Sequence, residues 1–167
     1  MISTRKHLDY ALGYLELNLL AEARAELALI PTADRETPEV LGVTLEVAMS
    51  ASDWQSVITT ASKLTAAEPS LERPWTAWAY ALREQNHIGD ALDILMIGEE
   101  AIHRPSPLVD YNLACYHCLM GHLDKARRRL KRAIARNPSW KTEAPSDPDL
   151  ADLYPPKNEP TSPSPPT

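Results

Sequence analysis

The sequence repeats itself with a period of about 34 residues, and this period constrains the fold more than any other feature. Residues suited to ending a helix recur at intervals of 34, 34 and 35 residues: Asn18, Ser52, Asn86 and Gly121. Five positions after each of them stands a small or β-branched residue, in the set Ala23, Val57, Ala91 and Ala126. Such a period is typical of a helix–turn–helix unit repeated along the chain, each unit burying its apolar face against the next.

The same register extends to both sides of these positions. Apolar residues recur before the break at Ala11, Leu45, Ala79 and Ala114, and after it at Leu27, Ala61, Leu95 and Leu130. Small residues where helices cross allow their axes to approach to about 8–10 Å. Prolines, which end helices, fall between the units at Pro38, Pro69, Pro105 and Pro138. The pattern predicts helices at 4–17 and 20–30, 38–51 and 54–67, 71–85 and 88–102, and 107–120 and 122–136.

Composition limits the function classes. The chain has 167 residues, 44% of them hydrophobic, which favours one folded unit. A net charge of -6 argues against general nucleic-acid binding, because phosphates attract a basic surface. The first 20 residues contain Asp9, Glu16 and Asn18 among the apolar ones, so neither a signal peptide nor membrane insertion is expected. Two cysteines only three positions apart favour a reducing, cytoplasmic location.

The sequence contains no recognisable catalytic motif, so we expect no enzyme activity and no cofactor. Cys115, Cys118 and His122 follow one another at i, i+3 and i+7. A structural zinc site usually has four ligands, and His122 lies beyond the turn at Gly121, so no metal is expected. A metal-dependent or redox protein built on the two cysteines is the alternative, and metal analysis of the purified protein would distinguish it.

The fourth unit carries the clearest family pattern. Its residues Tyr111-Asn112-Leu113-Ala114-Cys115-Tyr116, then Gly121-His122-Leu123-Asp124-Lys125-Ala126, and finally Ala133 and Asn137-Pro138, resemble a complete tetratricopeptide repeat. The earlier units depart from the pattern: Gly98 stands at a usual Ala position, Thr44-Leu45 replaces Leu-Gly, and Pro31 truncates a second helix. The resemblance implies an all-α, right-handed solenoid of about four hairpins over 4–138, in units 5–37, 38–70, 71–106 and 107–138.

The residues after the fourth unit are expected to cover its open face, since the last unit of a stack has no neighbour. In Ser146-Asp147-Pro148-Asp149-Leu150 an N-cap residue precedes proline and an acidic first turn, which predicts a short capping helix within 139–154. Trp140, Leu150, Leu153 and Tyr154 are expected to lie over the last helix. The Pro, Ser and Thr residues of 155–167 predict a disordered tail.

The resemblance also implies a concave groove formed by the first helix of each unit, in which a peptide or helix of another protein would bind. The matching positions, spaced four and three apart, are Leu8, Leu12 and Leu15, then Glu46 and Met49, then Thr76, Tyr80 and Arg83, then Tyr111, Cys115 and Cys118. Apolar side chains with Met and Tyr suit an amphipathic helix or an extended apolar segment. Burial of the Leu trio in the core, or self-association through it, is the competing interpretation.

Charge is unevenly distributed along the chain. Seven basic residues and no acidic one lie between Lys125 and Arg136, whereas twelve acidic and four basic residues lie between Asp34 and Glu100. Arg127, Arg128, Lys131 and Arg132 are expected to form a solvated basic patch on the convex side; the alternatives are an anionic partner, a lipid headgroup or head-to-tail contact with the acidic units. From the repeat and the groove that the resemblance implies, we expect a protein-binding adaptor or scaffold. The alternative is a small acidic escort chaperone resembling those of type III secretion translocators.

Overall fold

The computed structural model describes residues 2–155, and their regular secondary structure is helical. The eight main helices are α1 (Thr4–Glu16), α2 (Leu20–Ala28), α3 (Pro38–Ser50), α4 (Trp54–Ala67), α5 (Glu72–Glu84), α6 (Ile88–Ala101), α7 (Pro107–Leu119) and α8 (Leu123–Arg136). They form four consecutive hairpins, so the predicted all-α repeat is confirmed. The predicted tail at 155–167 lies, apart from its first residue, outside the described residues. Within the described part of the chain, no helix combines the length and apolarity needed to cross a bilayer.

The four predicted break residues end the first helix of each hairpin in the same way. Their backbone is left-handed, with φ of 57° at Asn18, 52° at Ser52, 62° at Asn86 and 74° at Gly121. The residue after each one donates its N–H to a carbonyl five positions earlier, as in His122 to His117 at 2.8 Å. This hydrogen bond satisfies a carbonyl that the helix leaves open and fixes the angle at which the second helix begins.

Helix starts are also specified by local chemistry. Pro38 and Pro107 occupy the first turns of α3 and α7, where a missing N–H costs nothing. The Asp53 carboxylate accepts a hydrogen bond from the Ser56 N–H at the start of α4. In the first unit α2 ends at Ala28, and a short 3-10 turn, Thr32–Asp34, follows Pro31. The shortening that Pro31 predicts is therefore present.

The recurring small residues lie where the helices cross. Ala11, Ala79 and Ala114 are fully buried and Leu45 nearly so, as are the four residues after the breaks, Ala23, Val57, Ala91 and Ala126. Three apolar clusters follow one another along the chain, one around Leu8, one between α3, α4 and α5, and the largest from α5 to Leu153. Trp78 packs against both of the larger clusters, which makes the core continuous from the second unit onward.

The third unit has glycine at the expected alanine position because a tryptophan occupies the space. A Cβ at Gly98 would lie 2.7 Å from the Trp75 ring and 2.8 Å from its Cβ. Trp75 in turn stacks on Trp78, with ring centroids 6.1 Å apart, and donates its indole N–H to the Pro69 carbonyl at 2.9 Å. The departure from the family pattern therefore allows α5 and α6 to pack closely around a large side chain.

The C-terminal segment differs from the predicted capping helix. It consists of one helical turn, α9 (Trp140–Glu143), and two 3-10 turns, Ala144–Ser146 and Pro148–Leu153. Asp147 caps the last turn as expected, accepting from the Asp149 N–H at 2.9 Å. The segment packs mainly against α7 and also contacts the last helix, α8, where Leu153 and Tyr154 lie beside Leu130, so the predicted position over α8 is correct only in part. Leu150, which is fully buried, joins the core on this side of the fourth unit.

Candidate groove and its two halves

The first helices carry the predicted groove residues, but the three leucines of α1 differ in exposure. Leu8 is only 2% exposed and packs with Ile30 and Val40, so it belongs to the core and offers no surface to a partner. Leu12, one turn further on, is 40% exposed. Leu15 is half-buried. The prediction that Leu8 lines the groove is corrected, since the end of α2 and the start of α3 close over it.

The middle of the predicted groove is formed by α3 and α5. Glu46 accepts two hydrogen bonds from the Arg73 guanidinium, both at 2.8 Å, and this contact joins the second unit to the third. Met49 is half-buried beside the second cluster. Tyr80 is 40% exposed, and its ring meets that of Trp54 edge to face at 5.7 Å. The side chains on this half therefore include exposed apolar and aromatic surface next to a paired charge.

The C-terminal half is covered by the chain itself. The Arg83 guanidinium of α5 donates two hydrogen bonds to the carboxylate of Asp149, one of them at 2.8 Å from Nε. The Tyr111 hydroxyl of α7 donates to Asp147 at 2.7 Å. Both groove residues are therefore already engaged by the C-terminal segment. Asp147 and Asp149 are groove contacts that the sequence did not predict, because 36 and 66 positions separate them from their partners.

The protonation states of Tyr111 and Arg83 favour their hydrogen bonds to the C-terminal segment. Burial, and then the hydrogen bond to Asp147, raise the pKa of Tyr111, so the phenol keeps its proton and donates it. The hydrogen bond to Asp149 raises the pKa of Arg83. Trp140 lies against Tyr111 with ring centroids 4.7 Å apart. The segment thus meets the groove through a cation, a phenol and an aromatic pair.

Three more residues that were predicted to line the groove are buried, so the prediction is wrong for them as it is for Leu8. Thr76 is 5% exposed, and its hydroxyl bonds to helix carbonyls at Glu72 and Arg73. Cys115 and Cys118 are buried and free. Burial raises the pKa of both thiols, which disfavours the thiolate that metal binding and disulfide exchange require.

The cysteine pair does not meet His122 in one cluster. Among the described residues, the side chains that come close enough for a metal are instead Cys115, Asp147 and Asp149, within 4.8 Å of one another. Asp149 already pairs with Arg83, and Asp147 with Tyr111. With both carboxylates so engaged and the thiol protonated, this trio is a poor set of metal ligands.

The basic stretch of α8 has two roles. Arg127, Arg128, Lys131 and Arg132 are exposed. Arg129, by contrast, has a side chain only 17% exposed and bridges Glu99 of α6, at 2.5 and 2.8 Å, to the buried Asp110 of α7 at 2.9 Å. Arg132 also lies 3.4 Å from Asp110. Part of the basic stretch therefore joins the third unit to the fourth. The prediction that the basic residues are solvated did not include this contact.

Comparisons with known proteins bear on the fold. No protein-family model matches the chain, and no curated protein matches it either. Among solved structures, MamA from MSR-1 is similar with a TM-score of 0.70 and 16% identity, over 80% of this chain and 76% of that one. MamA from AMB-1 is similar with a TM-score of 0.68 and 16% identity, over 89% and 77%.

A third similar structure is TTC0263, described as a thermophilic TPR protein in Thermus thermophilus. Its TM-score is 0.65 at 18% identity, over 90% of this chain and 80% of that one. At these identities the likeness concerns the fold, and it agrees with the 34-residue register and the four hairpins. The chain therefore has the fold of the tetratricopeptide-repeat proteins.

Proposed function

We propose that this protein is a non-catalytic interaction module that binds a segment of another protein along the first helices of its first three units. The observation that carries the proposal is the contrast between the two halves of the groove. The C-terminal half is covered by the chain's own residues, whereas Leu12 remains exposed on the N-terminal half and Tyr80 at the boundary between the halves. Exposed apolar side chains on a rigid repeat surface are what a peptide or an amphipathic helix needs for anchoring.

The shape of this surface supports a peptide or helix more than a small ligand. Leu12 and Tyr80 lie on α1 and α5, so an occupant contacting both must extend across three units. Between them lies Met49, a flexible apolar side chain that adapts to varied partners. The Glu46–Arg73 pair adds one fixed polar contact. This arrangement favours an elongated partner with apolar anchors at its two ends.

The proposal is tested by selecting peptides on the full wild-type chain from a displayed library and measuring the affinity of each purified peptide by calorimetry. The groove variant is Leu12→Ala with Tyr80→Ala. We expect binding to weaken about thirtyfold, because truncating an aromatic anchor costs about 2 kcal/mol or more.

Two exposed apolar residues of the second helix α6 provide a matched control. Met96 and Ile97 are 43% and 55% exposed, and replacing both with alanine removes a similar apolar area elsewhere. This control should keep the wild-type affinity. Peptides that bind equally to wild type and to the groove variant, or a library that yields no binding peptide, would contradict the proposal.

A further inference from the structure

The C-terminal segment is bound as a ligand would be bound. Its two carboxylates, on Asp147 and Asp149, are two residues apart and contact two different helices of the groove. Asp149 accepts from Nε and Nη2 of Arg83 on α5, and Asp147 accepts from the Tyr111 hydroxyl of α7. The side chains of Arg83 and Asp149 are only 28% and 13% exposed, so water competes little for their hydrogen bonds. The fully buried Leu150 follows directly and anchors the turn.

The groove side of this contact is positioned without the segment. Arg83 also pairs with Glu84 at 2.7 Å, which orients its guanidinium from the other side. Tyr111 and Cys115 stand one turn apart on α7, and α7 packs extensively against α8. The repeats thus orient the Arg83 guanidinium through Glu84 and fix the helix that carries Tyr111, so both donors would be available to another acidic segment.

The segment leaves the site incompletely filled. A cavity of about 230 Å³ remains beside the two carboxylates, and its lining includes Tyr80, Asn112 and Tyr116. The Tyr116 hydroxyl is buried and has no hydrogen-bond partner among the described residues. This hydroxyl is not accessible to solvent, so a ligand in the cavity would reach it only after neighbouring side chains moved. The site therefore has room beyond what residues 147–150 use.

We propose that the groove of the third and fourth units is a docking site for an acidic segment of a partner protein, and that residues 144–153 occupy this site until the partner displaces them. The recognised pattern is two carboxylates two residues apart followed by an aliphatic residue, as in Asp147-Pro148-Asp149-Leu150. The inference deepens the proposed function, on which it rests, by giving the chemistry of a partner for the covered half. Because the resident segment is tethered, its local concentration is high and a partner must compete with it.

The test uses a fluorescein-labelled peptide with the sequence of residues 143–154 and measures its binding to the full chain by fluorescence anisotropy. In the variant Asp147→Asn with Asp149→Asn the tethered copy is weakened while Arg83 and Tyr111 are intact. This variant should bind the peptide at least about tenfold more tightly than wild type, since two charge-assisted contacts of the competitor are lost. Adding Arg83→Gln to the variant should abolish the gain, and a peptide with both Asp changed to Asn should not bind.

Equal binding to wild type and to the Asn variant, or no binding to the variant at about 1 mM peptide, would overturn the inference. If the variant does not fold, hydrogen exchange of the wild-type chain decides instead. The amides of 147–150 should exchange by local opening, faster than those of α7. Exchange of both only through global unfolding would overturn the inference, because the segment could then not be displaced. If this inference fails but the peptides selected on the full chain still bind less tightly to the variant Leu12→Ala with Tyr80→Ala, the proposed function stands.

Discussion

At the scale of single residues, the turn between the two helices of each hairpin is specified by one left-handed residue. Asparagine and glycine, which tolerate positive φ, occupy three of the four turns, but Ser52 occupies the fourth with φ of 52°. A serine in this conformation is strained by its Cβ. The second hairpin therefore forms in spite of its turn residue, because the buried Leu45 and Val57 pack across it.

Replacing Ser52 with glycine should stabilise the protein. Relief of the left-handed strain exceeds the added freedom of glycine in the unfolded chain, so we expect the free energy of unfolding to rise by roughly 0.5–1 kcal/mol. Urea denaturation followed by circular dichroism measures it. The matched control, Ser62→Gly inside α4, should lower stability by roughly 0.5 kcal/mol. A loss of stability at both positions would show that the turn is not left-handed.

Glycine at 98 has the opposite role, since here the missing side chain is required. Gly98→Ala would place a Cβ 2.7 Å from the Trp75 ring, and Trp75 is itself buried. We expect a loss of roughly 1–3 kcal/mol from overpacking, which outweighs the gain in helix propensity. Gly42→Ala in α3, where a Cβ would have nothing within 4 Å, should instead stabilise by roughly 0.5–1 kcal/mol. Urea denaturation of both variants is the measurement, and equal effects would contradict the packing.

At the scale of helices, three ion pairs link the first unit to the second, and the Glu46–Arg73 pair links the second to the third. Arg5 contacts Glu39, Arg24 contacts Asp53, and Lys63 contacts Glu36, at 2.7, 3.0 and 2.7 Å. These pairs are exposed and contribute little singly. The link between the third and fourth units differs, because Arg129 is largely buried and bridges Glu99 to Asp110. This contact, unlike the exposed ones, is expected to influence stability.

The Arg129 contact predicts a pH dependence. The hydrogen bond from Arg129 lowers the pKa of Glu99, so the folded state favours the ionised carboxylate. The stabilisation is fully present above the unfolded Glu pKa of about 4.3 and is lost as pH falls through the lower folded value. Between pH 6 and pH 3 wild type should therefore lose more stability than Glu99→Gln. Urea unfolding at a series of pH values checks this.

A double-mutant comparison assigns that pH dependence to the pair. In an Arg129→Ala background, Glu99→Gln should change the acid profile less, because the cation with the largest effect on the Glu99 pKa is gone and only Arg132 still lowers it. Arg129→Ala itself should destabilise by about 3 kcal/mol at neutral pH, the low end for a broken buried pair, since Arg132 remains beside Asp110. A Glu99→Gln effect of the same size in both backgrounds would place the cause elsewhere.

At the scale of the whole molecule, the sequence predicted the repeat well and the groove only in part. The period located the turns because left-handed residues and buried alanines are local requirements that recur at each unit. Leu8, Thr76, Cys115 and Cys118 occupy groove positions by register but are buried, since neighbouring segments close over them. Register gives the face of a helix, and it does not reveal what else packs against that face.

The C-terminal segment was the largest difference from expectation. Its cap at Asp147 was predictable from residues 146–150, because capping is local. The contact between Arg83 and Asp149 was not, because 66 positions separate them and neither is unusual by itself. Two prolines, Pro145 and Pro148, break the segment into short turns that fit against α7. The division of the groove into a covered and an open half follows from this placement.

The division of the groove is tested most directly by nuclear Overhauser contacts in the full chain labelled with ¹³C and ¹⁵N. We predict contacts from residues 147–153 to the side chains of α7, including Cys115, and from Asp149 to Arg83, while Leu12 shows none to the C-terminal segment. A segment with contacts only to its own sequence neighbours, or one that reaches Leu12, would contradict the account.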